Sequence, residues 1–301
     1  MRKKWSVAIV ATAAAAALTL AGCAQGAPPS AGGGDASEPP KDLYTVADNV
    51  DLTGSPTYDK AKAAGKITVG VKEDQPNLGF LDAATGKRSG FDIEIAKWIA
   101  ASLGFSEKQI EFKAIPSANR ESAIVNGDID YYVGTYSITD ARKQQIDFAG
   151  PYFVTGQGLL VKKGNTEIKS EKDLAGKTVC SATGSTPIQN IKANFPDTKT
   201  TEFDTYSQCV DALNDGSVDA VTTDEAILIG YAAQAPDDLE VVGKPFSTEK
   251  YGVGLPKGDS ALRHFINKTF TDGSEVWTGI YDATLGASGT KVDQPEVDDY
   301  Q

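Results

Sequence analysis

Asn126-Gly127-Asp128-Ile129-Asp130 and Asp215-Gly216-Ser217-Val218-Asp219 are two copies of one pattern, about 90 residues apart. Each follows a helical run, since Ser117 to Asn126 repeats apolar positions at helical spacing and stops at a glycine. Each then leads into a short strand and a polar group, Thr135 to Thr139 in the first copy and Thr223-Asp224-Glu225 in the second. Working outward, strand-like and helix-like segments alternate from about Thr57, which argues for an α/β architecture with mostly parallel strands. Lys66 to Val71 is a short β-branched run. Gly90 to Gly104 carries apolar residues at 91, 95, 98, 99 and 103, one buried face of a helix. In open α/β sheets ligands bind at the carboxyl edge of the strands, so two such units predict two related lobes facing each other across a cleft.

Composition narrows the function. The 301 residues are 40% apolar and 23% charged, with 30 Gly and 14 Pro, which excludes bulk disorder, collagen and a multispan membrane protein. Acidic residues outnumber basic ones 41 to 29, so the net charge of −12 would repel a phosphate backbone and nucleic acid is not an expected partner. With His264 as the one histidine, His-rich zinc sites and most hydrolase triads are excluded, and no metal or cofactor is expected. His264 itself lies in a helical run, 261–270, as an ordinary surface or packing residue, and Trp98 and Trp277 are expected in the core.

Residues 1–22 read as a signal peptide, with Arg2, Lys3 and Lys4 ahead of an uncharged stretch from Val7 to Ala21 that is short for a membrane span. Leu20-Ala21-Gly22-Cys23 resembles the lipobox of bacterial lipoproteins, in which Cys23 is lipidated and becomes the first mature residue. Losing the three cations brings the net charge to −12 − 3 = −15. Positions 24–41 are Ala, Gly, Pro or Ser at 14 of 18 places, too poor in apolar surface to fold, so 23–56 reads as a flexible linker holding the protein at the outer face of its membrane. Cys180 and Cys209 remain as an even pair in an exported chain, a disulfide candidate against the alternative of two buried thiols. The acidic end, 291–301, has no metal-loop spacing and reads as a solvated tail.

Three features suit an anion with an ammonium beside it. Thr139 can N-cap a helix that carries Arg142, whose planar fork matches a carboxylate. Thr183-Gly184-Ser185 is a small-residue turn before Pro187, where main-chain N–H groups hold anions. Asp224 follows a strand and can accept from an ammonium.

Taken with Gly90-Phe91-Asp92-Ile93-Glu94-Ile95-Ala96, Ser137-Ile138-Thr139-Asp140-Ala141-Arg142, Ile146-Asp147-Phe148-Ala149-Gly150-Pro151-Tyr152 and Asp173-Leu174-Ala175-Gly176-Lys177-Thr178-Val179, the chain from 66 to 277 resembles the polar amino-acid-binding proteins of ABC importers, solute-binding protein family 3. Lys72-Glu73-Asp74-Gln75-Pro76, Pro116 to Glu121 and Cys180 to Pro187 look like the glutamate-binding lipoproteins of actinobacteria. The resemblance implies a type II periplasmic-binding-protein fold of two α/β lobes joined by a two-strand hinge: 57–153 with 249–290, and 157–246, crossing near 153–156 and 247–252. It implies that Arg142, Ser137, Thr183, Gly184 and Ser185 bind an α-carboxylate, and that Asp224 and the Thr135 carbonyl bind an α-ammonium. Lys72, Gln75, Ser117 and Arg120 would form the side-chain pocket; a second Arg beside a Ser suits a second carboxylate, although Gln75 stands where several relatives carry a stacking aromatic.

The implied protein is a lipid-anchored, monomeric receptor that captures L-glutamate between its lobes and presents it to an ABC permease. Aspartate, glutamine or asparagine are alternative ligands. A ligand-sensing lipoprotein and an enzyme on the same fold are further alternatives; catalysis is not expected, because about 240 folded residues leave no room for the extra domain of the lytic relatives.

Overall fold

The computed structural model describes residues 43–288 and 291–300; the signal peptide, Cys23 and the linker up to residue 42 lie outside the described residues. Thirteen strands are assigned among them: β1 (Ile67–Val71), β2 (Asp74–Gln75), β3 (Gly79–Leu81), β4 (Arg88–Ser89), β5 (Ile110–Ala114), β6 (Tyr131–Tyr132), β7 (Ile146–Thr155), β8 (Gln157–Lys162), β9 (Thr178–Ala182), β10 (Lys199–Phe203), β11 (Ala220–Asp224), β12 (Leu239–Val242) and β13 (Glu249–Pro256). The α-helices are α1 (Pro56–Ala64), α2 (Phe91–Ser102), α3 (Arg120–Val125), α4 (Asp140–Lys143), α5 (Thr186–Asn194), α6 (Tyr206–Asp215), α7 (Glu225–Gln234), α8 (Ser260–Asp272) and α9 (Ser274–Ala283).

Two five-stranded sheets form two lobes, in the orders β5-β1-β6-β13-β7 and β10-β9-β11-β8-β12. A small antiparallel sheet, β2-β3-β4, joins the first lobe. Each large sheet has two parallel pairings and two antiparallel ones, rather than a mostly parallel set. The antiparallel half is built from β7, β8, β12 and β13. The chain passes from β7 almost directly into β8 and returns from β12 to β13, so neither passage contains the crossover helix that a parallel connection needs. The two passages touch: the Gln157 amide donates to Ser247 Oγ at 3.0 Å and the Phe246 amide to the Gln157 carbonyl at 2.9 Å.

Helix α2 lies in the core of the first lobe, where Phe91 meets Trp277 edge to face at 5.8 Å and Trp98 packs on Phe270 at 5.6 Å. In the second lobe Cys180 on β9 and Cys209 on α6 form a disulfide, with Cα atoms 5.4 Å apart. His264 is exposed on α8, 3.7 Å from Asp299.

Both ends of the described chain are docked, not solvated. Within the stretch read as linker, Tyr44 donates to Glu94 at 3.0 Å, and the fully buried Ser55 caps α1 and donates to Asp259 at 2.8 Å. At the acidic end, the Phe148 amide donates to the Tyr300 hydroxyl at 2.8 Å and the Asp298 amide to the Gly150 carbonyl at 2.9 Å. Lys143 and Arg263 lie 4.0 and 4.5 Å from the Tyr300 ring, so the segment's own aromatic finds cations that its composition does not announce.

Candidate ligand-binding site

The carboxyl edges of the parallel strands face one another between the lobes. In the first lobe Lys72 follows β1, Ser117 and Arg120 follow β5, and Thr135 and Ser137 follow β6. All are buried: Lys72 is 4% exposed and Arg120 only 2%. Lys72 Nζ donates to Ser117 Oγ at 2.8 Å. Burial first, then the neighbouring Arg120 guanidinium, brings the Lys72 ammonium down to about 7. Arg120 spends Nε on the Ser117 carbonyl at 3.1 Å and one Nη1 hydrogen on the Thr135 carbonyl at 3.3 Å, with its guanidinium 4.2 Å from the Tyr136 ring. It forms no ion pair with any carboxylate of the described residues.

Arg142 rises from α4, where Thr139 caps the helix by accepting the Arg142 amide at 3.2 Å. Its Nε pairs with Glu121 at 2.9 Å, Nη1 donates to the Ser137 carbonyl at 2.7 Å and Nη2 to the Gly184 carbonyl at 3.1 Å. A guanidinium has five N–H groups, so one hydrogen on each terminal nitrogen has no partner among the described residues. Tyr136, between the two guanidinium groups at 4.2 and 4.9 Å, lies in the site without having been singled out from sequence.

Thr135 holds a left-handed φ of 46°, rare for a branched residue. The fully buried Asp92 on α2 holds it there, accepting the Thr135 amide at 3.0 Å and the Tyr152 hydroxyl at 2.8 Å. Burial lifts the Asp92 carboxyl to about 6 despite those two bonds. In the sequence Asp92 reads only as an acid in the first turn of an apolar helix; its burial beneath Thr135 is visible only in the fold. The Thr135 hydroxyl bonds the Gln75 amide at 3.1 Å, and its carbonyl has one lone pair already occupied by Arg120.

The second lobe contributes Asp224 at the end of β11. Its Oδ2 accepts the Tyr251 hydroxyl at 2.7 Å, while the buried Oδ1 has no partner among the described residues. Burial, and after it the Glu249 carboxylate, raises the Asp224 carboxyl to about 7. The Thr183-Gly184-Ser185 turn differs from the expectation that its main-chain N–H groups are all free. The Thr183 amide donates to Phe203 and the Ser185 amide to Ala182, because the turn is held by the β9–β10 ladder. Ser185 Oγ caps α5 by accepting the Ile188 amide at 3.3 Å. The donors left to the turn are the Gly184 amide and the Thr183 hydroxyl. Ser137 Oγ accepts from Thr186 at 3.2 Å, so both lobes meet at this point.

This arrangement has close relatives. The description "bacterial extracellular solute-binding proteins, family 3" covers a family profile that matches residues 67–282. The chain belongs to that family. It is 41% identical over 224 residues to the glutamate-binding protein GluB of Corynebacterium efficiens, covering 70% of this chain and 76% of that one. It is 44% identical over 205 residues to the glutamine-binding protein of Geobacillus stearothermophilus, covering 68% and 78%. An ancestral arginine-binding protein bound to glutamine superposes with a TM-score of 0.69 at 39% identity, over 74% of this chain and 98% of the other. The fold is therefore the type II periplasmic-binding-protein fold, and this family-3 chain is a solute-binding receptor rather than an enzyme.

Proposed function

We propose that the chain is the extracytoplasmic receptor of an ABC importer, anchored through a lipidated Cys23, and that it takes L-glutamate between its lobes. The observation that carries the ligand is the buried pair Lys72 and Arg120, whose partners are a hydroxyl, two main-chain carbonyls and an aromatic ring, with no carboxylate. Buried charge without a counter-charge is costly, and a second carboxylate on the ligand supplies one. Arg142, with its unpartnered terminal hydrogens, Ser137, the Gly184 amide and the Thr183 hydroxyl take the α-carboxylate. Asp224 Oδ1, with the second lone pair of the Thr135 carbonyl, takes the α-ammonium. The lobes 57–153 with 249–290 and 157–246 close about the two adjacent passages, so ligand contacts from both lobes favour the closed arrangement.

Similarity alone does not choose between glutamate and glutamine, since relatives named for each lie at 41% and 44% identity. Charge favours glutamate in this reading: an amide would leave both cations unpaired, and a cationic side chain would be repelled by them. The net charge of −12 opposes steering of an anion, but screening over about 8 Å at physiological salt confines that field and lets the local cations dominate inside the cleft.

The test is a calorimetric and thermal-shift panel of amino acids on the chain from residue 24. Glutamate at 100 times its Kd should add about 2.7 kcal/mol. A larger shift with glutamine would overturn the second-carboxylate assignment, and Cys23→Ala should move the protein from the membrane fraction to the medium.

A further inference from the structure

Outside the groups assigned to ligand, the tightest polar joint between the lobes is at Asp74 on β2. Its Oδ2 accepts the amides of Tyr206 at 2.8 Å and Ser207 at 3.3 Å, the first residues of α6. The Tyr231 hydroxyl on α7 donates to the Asp74 carbonyl and lies 3.3 Å from the same Oδ2. Beside it, Gly230 of α7 is packed so closely on Pro76 that a Cβ there would stand 2.5 Å from the Pro76 carbonyl oxygen. Asp74 and Pro76 belong to the first lobe and α6 and α7 to the second, so every one of these contacts exists only while the lobes are together.

We infer that Asp74, Tyr231 and Gly230 form a latch that sets how long the closed receptor holds its solute, without any of the three touching the ligand. This rests on the receptor reading above and adds to it a control on release that is separate from recognition. The physical reason is that a carboxylate at the start of a helix satisfies amides that otherwise have no partner within the helix, and meets the positive end of its dipole. When the lobes part, water replaces those contacts and the closed state loses that advantage. Gly230 acts by size: a helix interior ordinarily favours alanine over glycine, and here the missing side chain is what lets α7 approach Pro76. The disulfide ties α6 to β9, so the helix that receives Asp74 is held to the strand that leads into the Thr183-Gly184-Ser185 turn.

Tyr231→Phe removes one hydroxyl, and Gly230→Ala adds one methyl group. Both should leave the unfolding temperature without ligand within about 2 °C of wild type, the order of amino-acid preference intact and the association rate unchanged. Both should release glutamate faster, by about fivefold for Tyr231→Phe and tenfold or more for Gly230→Ala, with Kd weakened in proportion. Wild-type Kd and release rate in both variants would overturn the latch, as would a changed preference order, which would place these residues in recognition instead. If the wild-type chain binds no amino acid, the receptor reading fails, and small-angle scattering decides the latch separately. Radii of gyration larger in the two variants than in wild type support it, and equal radii overturn it.

Discussion

Gly127 in the first lobe and Gly216 in the second end their helices alike, at φ of 72° and 83°, yet the two units part company after their strands. Three residues before the strand the frames still match: the Asp128 amide returns to Ala123 and the Ser217 amide to Ala212, each at 2.9 Å. Asp130 then accepts the Thr68 amide at 2.8 Å and Asp219 the Thr178 amide at 2.7 Å, tying each unit to the parallel strand beside its own, β1 in the first sheet and β9 in the second. Both sheets also place their strands in the same spatial sequence, with the unit's strand in the middle. At the carboxyl edges of its strands the first lobe presents Arg120, after β5, and Arg142, after β6, while the second presents Asp224 at the end of β11. One backbone frame used twice thus offers cations on one wall and an anion on the other, which suits a solute carrying both charges. On the proposed assignment the difference teaches that a shared frame sets where the solute sits, while a few residues at the strand ends set its charge pattern.

Breaking either wall should cost most. Arg142→Ala and Asp224→Ala should each weaken glutamate binding by about 4 kcal/mol, because a buried charge of the ligand is left unpaired; titration calorimetry checks it, and comparable losses from the two walls are expected. The next effect separates the lobes by stability. Only the second has a disulfide among the described residues, and closing a loop with a sequence separation of 29 contributes about 3.5 kcal/mol on the chain-entropy view. Replacing Cys180 and Cys209 with serine should therefore lower the denaturation midpoint of the second lobe selectively, as hydrogen exchange would show.

Acidity sharpens the comparison with opposite signs. Asp224, lifted to about 7, must lose its proton to accept an ammonium, so affinity falls as pH drops below 7. Lys72, lowered to about 7, must keep its proton to pair a second carboxylate, so affinity falls as pH rises above 7. Glutamate binding should peak near neutrality, with each arm approaching a slope of tenfold per pH unit, and Lys72→Met should remove the alkaline arm alone. Without ligand the sign for folding is different: a carboxyl raised by burial favours the fold below about 4, and that advantage is lost as pH rises through about 6 for Asp92 and 7 for Asp224. The smallest effect concerns the matched aspartates. Asp130→Asn, at a position 3% exposed, should destabilise by about 1 kcal/mol, and Asp219→Asn, at an exposed one, by about half that.

Local sequence carried a great deal here. The helix stops at Gly127 and Gly216, the cap at Thr139, the paired cysteines and the positions of Arg142, Arg120 and Asp224 are legible because each arises from short-range pattern or residue chemistry. What short-range pattern cannot register is a partner far along the chain. Tyr251 on Asp224, Asp92 beneath Thr135 and Tyr231 on Asp74 are contacts across 27 to 157 positions. The docked ends illustrate the same limit, since a polar segment reads as solvated until Lys143, Arg263 and Glu94 are seen to receive it. Sequence by itself determined the α/β frame, its doubling and the charged groups at its edges, through periodicity and the few residues that can stop a helix or bind an anion. Tertiary structure alone decided which of those charges stay unpaired, because burial and partnership depend on the whole surrounding shell of packed neighbours.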